Sequence, residues 1–355
     1  MTRPTIIDIA QHAGVSFKTV SRVLNNHPKV GEEYRRKVLA SMEALNFKPN
    51  RAAQVLRGGK SFVLGLLITQ GRYIQTLDDA NRLPSYIADV VTGMLQACQA
   101  KSYHLVIESI DGADPQAGVA WLASCLDDVS FDGLVLMPPL CDKPWLLDAL
   151  EEMGVHFARM NPGSQLGRGL CLVIDNRRAG AQIGDLLLDH GHRDIGYITG
   201  PDSHQAHTPR QAGLREAAAR VPDARVTVVP GDFTFDTGQR QARALLTRDP
   251  RPTAIFAAND EMAAGVLAAA MELGIAVPAD LSIVGFGGLL VSQTTWPRIT
   301  TVNQPTIHMA RLAAEGLIDG FGKPFADMGR VVEIDFELKQ RQSVAAVTMR
   351  CPGPG

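Results

Sequence analysis

The stretch AGVSFKTVSRVLNN (residues 13–26) sets two long cations, Lys18 and Arg22, one helical turn apart beside the aromatic Phe17. Three hydroxyls, Ser16, Thr19 and Ser21, are interleaved with them. Cationic side chains donate to guanine edges and to phosphate oxygens, and hydroxyls bond phosphates. The chemistry open to this set is the reading of duplex DNA. The plainer alternative is a helical hairpin with a solvated basic face. An exposed phenylalanine beside two cations favours the DNA reading.

Such side chains need a helix held at a fixed angle to a second one. Thr5-Ile6-Ile7-Asp8 has capping-box spacing, with Asp in place of Glu or Gln, and predicts the start of a first helix. Ile6, Ile9, Ala10 and Ala13 fall on one face of it, and Gly14 ends it. Ser16 is the expected N-cap of a second helix running to about Asn25, with Val20, Val23 and Leu24 inward. A third helix is expected near Glu32, with Val38, Met42 and Leu45 at helical spacing. A small residue at the crossing (Ala10), a glycine in the turn (Gly14) and apolar anchors (Val15, Val20) satisfy helix-turn-helix geometry. Phe17, Lys18, Ser21 and Arg22 then face outward. Pro49 blocks continuation of the third helix. Asn50 to Arg57 has room for two helical turns, too few to be helical alone, and Gly58-Gly59 is flexible.

Charge divides the chain the same way. Residues 1–60 carry eleven Lys/Arg against four Asp/Glu, a balance of +7 inside a chain whose total is −2. A basic head on an acidic body points to a polyanionic partner for the head alone. From residue 62 the pattern becomes buried Val/Ile/Leu runs alternating with helices. Strands are expected at 62–68, 104–109, 131–137, 155–160, 171–175, 195–200, 226–231, 253–260 and 281–287. Helices are expected at 86–101, 115–127, 143–153, 177–190, 210–220, 236–247 and 260–273. This alternation implies an α/β fold with doubly wound parallel sheets, and so many units imply two subdomains. Ligands in such sheets bind beyond the carboxyl ends of the strands.

Other function classes find little support. GxSxG, P-loop, HExxH and an early GxGxxG are all missing. The carboxylates of DDAN and NDEM have no nucleophile or metal ligand beside them, so neither an enzyme nor a cofactor is expected. Five dispersed cysteines (Cys98, Cys125, Cys141, Cys171, Cys351) fit reduced thiols rather than disulfides or zinc. With no long apolar run and no secretory leader pattern, a cytoplasmic chain without membrane association is expected.

The segments TIIDIAQHAGVSFKTVSRVLNNHPKV and ALNFKPNRAAQVLR resemble the DNA-binding head and hinge of the LacI/GalR family of bacterial transcription regulators. GHRDIGYITGP, PRQAGLREA, PTAIFAANDEMAAGVLAA, VPADLSIVGFG and ITTVNQP resemble its effector-binding core, extending the likeness to about residue 345. The resemblance implies a helix-turn-helix domain over 1–48, a hinge over 49–60 and a periplasmic-binding-protein-like core over 61–350. Within the core it implies an N-subdomain of about 61–172 plus 304–332 and a C-subdomain of about 173–303 plus 333–350. It places Phe17, Lys18 and Arg22 at base-reading positions and Leu56 as an apolar wedge in the minor groove. Thr5, Ser16, Thr19, Ser21, Asn25 and Asn50 complete the expected DNA contacts. The implied partner is a palindromic operator bound by a homodimer.

In the core, Arg210, Asn259 and Gln304 match effector-contacting positions, and Ser85 and Tyr86 lie at the expected cleft. Asn259 and Asp260 also suit helix capping. The family's aspartate after VGF or VGY is missing: Gly287-Gly288 stands there, so Tyr86, Trp296, His204 and His207 become candidate replacements. The overall expectation is a repressor of carbohydrate-utilisation genes released by a sugar or sugar-derived effector. A non-sugar effector, a corepressor arrangement and a transport-type sugar-binding protein are the alternatives.

Overall fold

The computed structural model describes residues 4–24, 29–45, 47, 59–69 and 84–347. Two compact units divide the chain, Met1–Ser61 and Phe62–Gly355.

In the first unit, helix α1 (Ile6–Ala13) opens on the capping box read from the sequence. The Thr5 hydroxyl accepts from the Asp8 amide, and the Asp8 carboxylate accepts from the Thr5 amide at 2.6 Å. Gly14, at φ 63, closes the helix; space around it is open, so the requirement is conformational. The chain turns at once into α2 (Phe17–Leu24), where Ser16 Oγ accepts from the Thr19 amide at 3.1 Å. Helix α3 (Glu32–Ala44) completes a core of Ile9, Ala10, Val20, Val23, Val38 and Phe47.

The second unit holds two six-stranded sheets. The first comprises β1 (Val63–Thr69), β2 (His104–Ile110), β3 (Gly133–Leu136), β4 (Phe157–Met160), β5 (Leu170–Val173) and β11 (Arg330–Glu333). Its order is β11-β5-β4-β3-β1-β2, parallel throughout. The second comprises β6 (Asp194–Ile198), β7 (Arg225–Val229), β8 (Ala254–Ala257), β9 (Ser282–Gly287), β10 (Thr300–Asn303) and β12 (Glu337–Lys339). Its order is β12-β10-β9-β8-β6-β7, parallel except for antiparallel β12. Helices α4 (Ser85–Lys101), α5 (Pro115–Asp128) and α6 (Pro144–Glu152) serve the first sheet as crossovers. In the second, α7 (Asn176–Asp189), α8 (His207–Ala219), α9 (Phe235–Leu246) and α10 (Asp260–Glu272) do the same, followed by the short α11 (Leu290–Thr294).

The chain passes between the sheets after β5, again after β10, and last between β11 and β12. Helix α12 (Thr306–Gly320) belongs to the first sheet, packing on α4, β3, β4 and β5. Strands β10, β11 and β12 escape the sequence reading because they are three or four residues long and mix polar with apolar side chains. Among the described residues, no helix is long and apolar enough to cross a membrane.

Two local devices determine where side chains meet between the sheets. The first is a buried ion pair. Asp142 accepts from the Gly163 and Ser164 amides, while Arg159, fully buried, donates to it at 3.2 Å and to the carbonyls of Cys141, Ser164 and Gln165. That pins the loop after β4 onto the segment before α6; a Cβ on Gly163 of the same loop would stand 2.4 Å from Gln205 Cβ, in the loop before α8. The second device is the α7–α8 crossing. A Cβ on Gly180 would stand 2.0 Å from the Arg210 carbonyl oxygen, and one on Gly213 1.9 Å from that of Arg177. Two backbones touch there, which only glycine permits.

This contact gives a stability prediction. Gly180→Ala forces α7 and α8 apart and is expected to lower unfolding free energy by about 1–3 kcal/mol, the usual cost of overpacking. Urea unfolding measures it; a loss below about 0.5 kcal/mol would mean that the helices separate without penalty.

Candidate functional site

The first unit presents one outward face on α2. Val20 and Val23 are buried, so Phe17 (45% exposed), Lys18 and Arg22 point to solvent as the spacing requires. Thr5 and Ser16 take the capping roles read from the sequence, and Thr19 joins them. Ser16 Oγ caps α2 and lies 2.9 Å from Thr19 Oγ1, and Thr5 is committed to its capping box. These three hold the helix ends, and Ser21 is half-buried. Asn25, Asn50, Leu56 and most of the expected hinge lie outside the described residues.

The second unit encloses a cavity of about 820 Å³ beyond the carboxyl ends of the strands, lined from both sheets. That size is typical of a small-molecule site. Arg210 is its central cation. Helix α8 starts at His207, earlier than the sequence reading, so Arg210 is its fourth residue, still near the end where the helix dipole opposes a positive charge. The position is made good by specific partners. Nε donates to Asn176 Oδ1 at 2.6 Å, Nη1 donates to the Ala258 carbonyl at 2.9 Å, and the guanidinium carbon sits 3.5 Å from the Phe286 ring centroid. Arg210 is 4% exposed, and burial pulls its pKa down to about 10, which still leaves it charged near neutrality.

Tyr86 lies on the opposite wall. Burial pushes its phenol up to about 12, with hydrogen bonding to Asn161 and Gln304 acting the other way. Gln304 lines the cavity and donates to Thr306 Oγ1 at 3.3 Å. Ser85, the first residue of α4, also lines it. Asn259 lines it as well, but its polar atoms are spoken for. Oδ1 accepts from the Met262 amide at 2.9 Å, capping α10, and Nδ2 donates to the Phe233 carbonyl and to Glu261. Capping is thus the role the geometry gives it.

Of the four candidate replacements for the missing aspartate, Tyr86 and His204 reach the cavity and Trp296 and His207 do not. Trp296 follows α11 and is 81% exposed; His207 is buried behind the wall, its Nδ1 without a partner among the described residues. His204 packs edge-on against Phe233, and burial pushes its pKa down to about 3, so it is neutral. The missing aspartate has a structural account. Gly287 lies at φ 125 and Gly288 at φ 73, conformations that strain any side chain, and a Cβ on Gly288 would meet Asn303 Oδ1 at 2.2 Å. The turn is held by Asp260, which accepts from the Leu289 amide and from Thr301 Oγ1, each at 2.6 Å. Burial pushes the Asp260 carboxyl up to about 6.

Sequence reasoning missed Asn161, Asn176, Glu261 and the rings of Phe233, Phe235 and Phe286. Asn176 carried a legible signal, a polar residue just after a strand. Glu261 stood in the NDEM motif but had no recognisable partner.

Comparison with known proteins follows from this arrangement. Residues 5–50 match the bacterial regulatory proteins, lacI family domain, and residues 185–344 match the periplasmic binding protein-like domain. The HTH-type transcriptional repressor PurR of Proteus mirabilis (strain HI4320) is 34% identical over 96% of this chain and 97% of its own. The chain belongs to the lacI family of bacterial regulatory proteins. A second lacI-family relative, PurR of Photorhabdus laumondii, is 32% identical over 96% of both chains. Among solved structures, the transcriptional regulator CelR–cellobiose complex aligns with a TM-score of 0.69 at 29% identity, over 96% of this chain and all of that one. The lac repressor dimer bound to operator and the anti-inducer ONPF aligns with a TM-score of 0.74 at 25% identity, over 97% of this chain and all of that one. These likenesses support the helix-turn-helix head and the two-sheet periplasmic-binding-like core.

Asn176 tests the role of Arg210's surroundings. Asn176→Ala leaves the buried Nε without an acceptor and is expected to cost about 1–3 kcal/mol of stability in urea unfolding. Asn176→Asp keeps an acceptor and should recover most of it. Equal losses in both variants would show that the site's volume matters and the bond does not.

Proposed function

We propose that this lacI-family regulator is a ligand-responsive transcription repressor. A homodimer places two heads on a palindromic operator, with Phe17, Lys18 and Arg22 of α2 against base edges in the major groove. Cations on that helix, in a unit of strongly positive charge, support the reading. The effector occupies the cavity of the second unit. The observation that carries this is the buried Arg210, satisfied on two sides and stacked on Phe286, facing a space walled by both sheets.

A saccharide is the effector class that fits best. Rings of Tyr86, Phe233 and Phe235 offer apolar faces to a pyranose, while Arg210, Asn161 and Gln304 offer hydrogen bonds to its hydroxyls. The volume exceeds what one ring needs, which supports an effector of disaccharide size, and the similar CelR structure is a cellobiose complex. Occupancy of the cavity and operator binding affect each other by the same factor, typically about 5–150-fold.

Two measurements test the reading. Arg22→Ala should weaken operator binding by about 1–3 kcal/mol if the side chain pairs with a guanine, whereas an equal loss on random DNA would mark a phosphate contact. For the cavity, calorimetry of Arg210→Ala against a panel of mono- and disaccharides should show binding lost while operator binding is retained. A wild-type protein that binds the operator but no saccharide would sink the effector assignment.

A further inference from the structure

Among the described residues lining the cavity there is a single carboxylate, Glu261, and the reading above gives it no task. It is the second residue of α10, at the helix end that favours negative charge. Its Oε2 accepts from Asn259 Nδ2 at 3.0 Å. Ser85, at the start of α4, lines the same cavity, and Asp89 of that helix opposes ionisation of Glu261. Beside it Asp260 also opposes ionisation, but that carboxylate is taken up by Thr301 and Leu289. Arg210 and Glu261 line the same cavity, one cation and one carboxylate.

A carboxylate offers about four lone-pair sites, and the Asn259 amide fills only part of that capacity. Glu261 borders the cavity. Resting on the saccharide reading of this cavity, we propose that Glu261 selects the effector by accepting hydrogen bonds from neighbouring hydroxyls of a saccharide.

Ser85 and Glu261 sit on elements of different sheets. Helix α4 packs on α12 over the first, and α10 packs on β8 and β9 of the second. No metal or covalent step is involved; protons stay on the donating hydroxyls.

The arrangement predicts a pH dependence. Burial, with the nearby Asp260 and Asp89 carboxylates adding to it, pushes Glu261 up to about 7. Hydroxyl donors bind the ionised form, so affinity for a neutral saccharide rises with pH. Between pH 6 and pH 8 the ionised fraction goes from roughly a tenth to roughly nine tenths, a gain of about ten-fold in apparent affinity. His204 (about 3), Arg210 (about 10) and Tyr86 (about 12) keep their charge states over that interval. Asp260 titrates near its lower edge, and the variants below separate its contribution.

The test uses the full-length protein with cellobiose as probe, titrated calorimetrically at pH 6 and pH 8. Wild type should bind about ten-fold tighter at pH 8. Glu261→Gln, which cannot ionise, should bind at least ten-fold more weakly than wild type at pH 8, with the pH dependence gone. Glu261→Asp should bind weakly yet keep the slope, showing that the carboxylate and not the fold is being read. Glu261→Gln binding with wild-type affinity and slope overturns the assignment. If Arg210→Ala abolishes cellobiose binding in that case, the saccharide reading survives and only Glu261's role falls. Cellobiose that fails to bind wild type overturns the proposal outright. If other saccharides of the panel still bind, the broader reading stands.

Discussion

A guanidinium taken out of water must find hydrogen-bond acceptors or a polarisable face, and the second unit is organised around meeting that demand for Arg210. Its acceptors come from the start of α7 and the end of β8, and its face from the end of β9. Each of these segments must arrive in register, because a buried charge left unpaired costs far more than the net value of the bonds that pair it. The glycine contact between α7 and α8 is the geometric complement. Placing backbone against backbone brings the Arg210 carbonyl onto Gly180 and holds the side chain at one depth. Arg210 is thereby oriented before any ligand arrives, which lowers the ordering cost of binding.

The first sheet solves a related problem with Arg159 and Asp142. Their pairing is enclosed by carbonyl and amide partners from the loop after β4 and by the carbonyl of Cys141 next to Asp142, so both charges are compensated locally. Asn161 and Gly163 leave that loop in fixed positions, one lining the cavity and the other against Gln205. The site is then walled by two halves, each with its own buried arginine, and the space between them is where the polar groups lack full internal satisfaction. The turn at Gly287-Gly288 shows the converse. The positive φ of both glycines strains any side chain there, and the carboxylate lining the cavity is Glu261 on the adjacent α10.

The head was legible almost residue by residue. Thr5, Asp8, Gly14 and Ser16 act where their types predicted, and Val20 and Val23 leave Phe17, Lys18 and Arg22 outward. What did not follow is the use of the Thr19 hydroxyl. Ser16 and Thr19 bond each other and the helix end, since a cap satisfied within three residues is always within reach. In the body, the longer strands and the crossover helices through α10 were legible from continuous apolar runs. The short strands β10, β11 and β12 were not, because three or four residues carry too little periodicity. Trp296 shows a different limit: an aromatic residue in a motif-rich stretch gives no sign of which way it faces, and this one faces solvent.

The sequence by itself determined the division into a basic helical head and an acidic α/β body, the reading face of α2, and membership of a family of regulators. Caps, turns and helical faces depend on contacts within a turn or two, so residue types suffice to specify them. Only the tertiary structure decided the cavity. Its lining runs from Ile68 to Gln304, and Arg210 finds its partners 34 and 48 residues away. Whether Asn259 caps or binds, whether His207 reaches the ligand space, and whether Glu261 faces a salt bridge or an open cavity are matters of burial. Burial is set by how whole elements pack, and no local pattern carries that information.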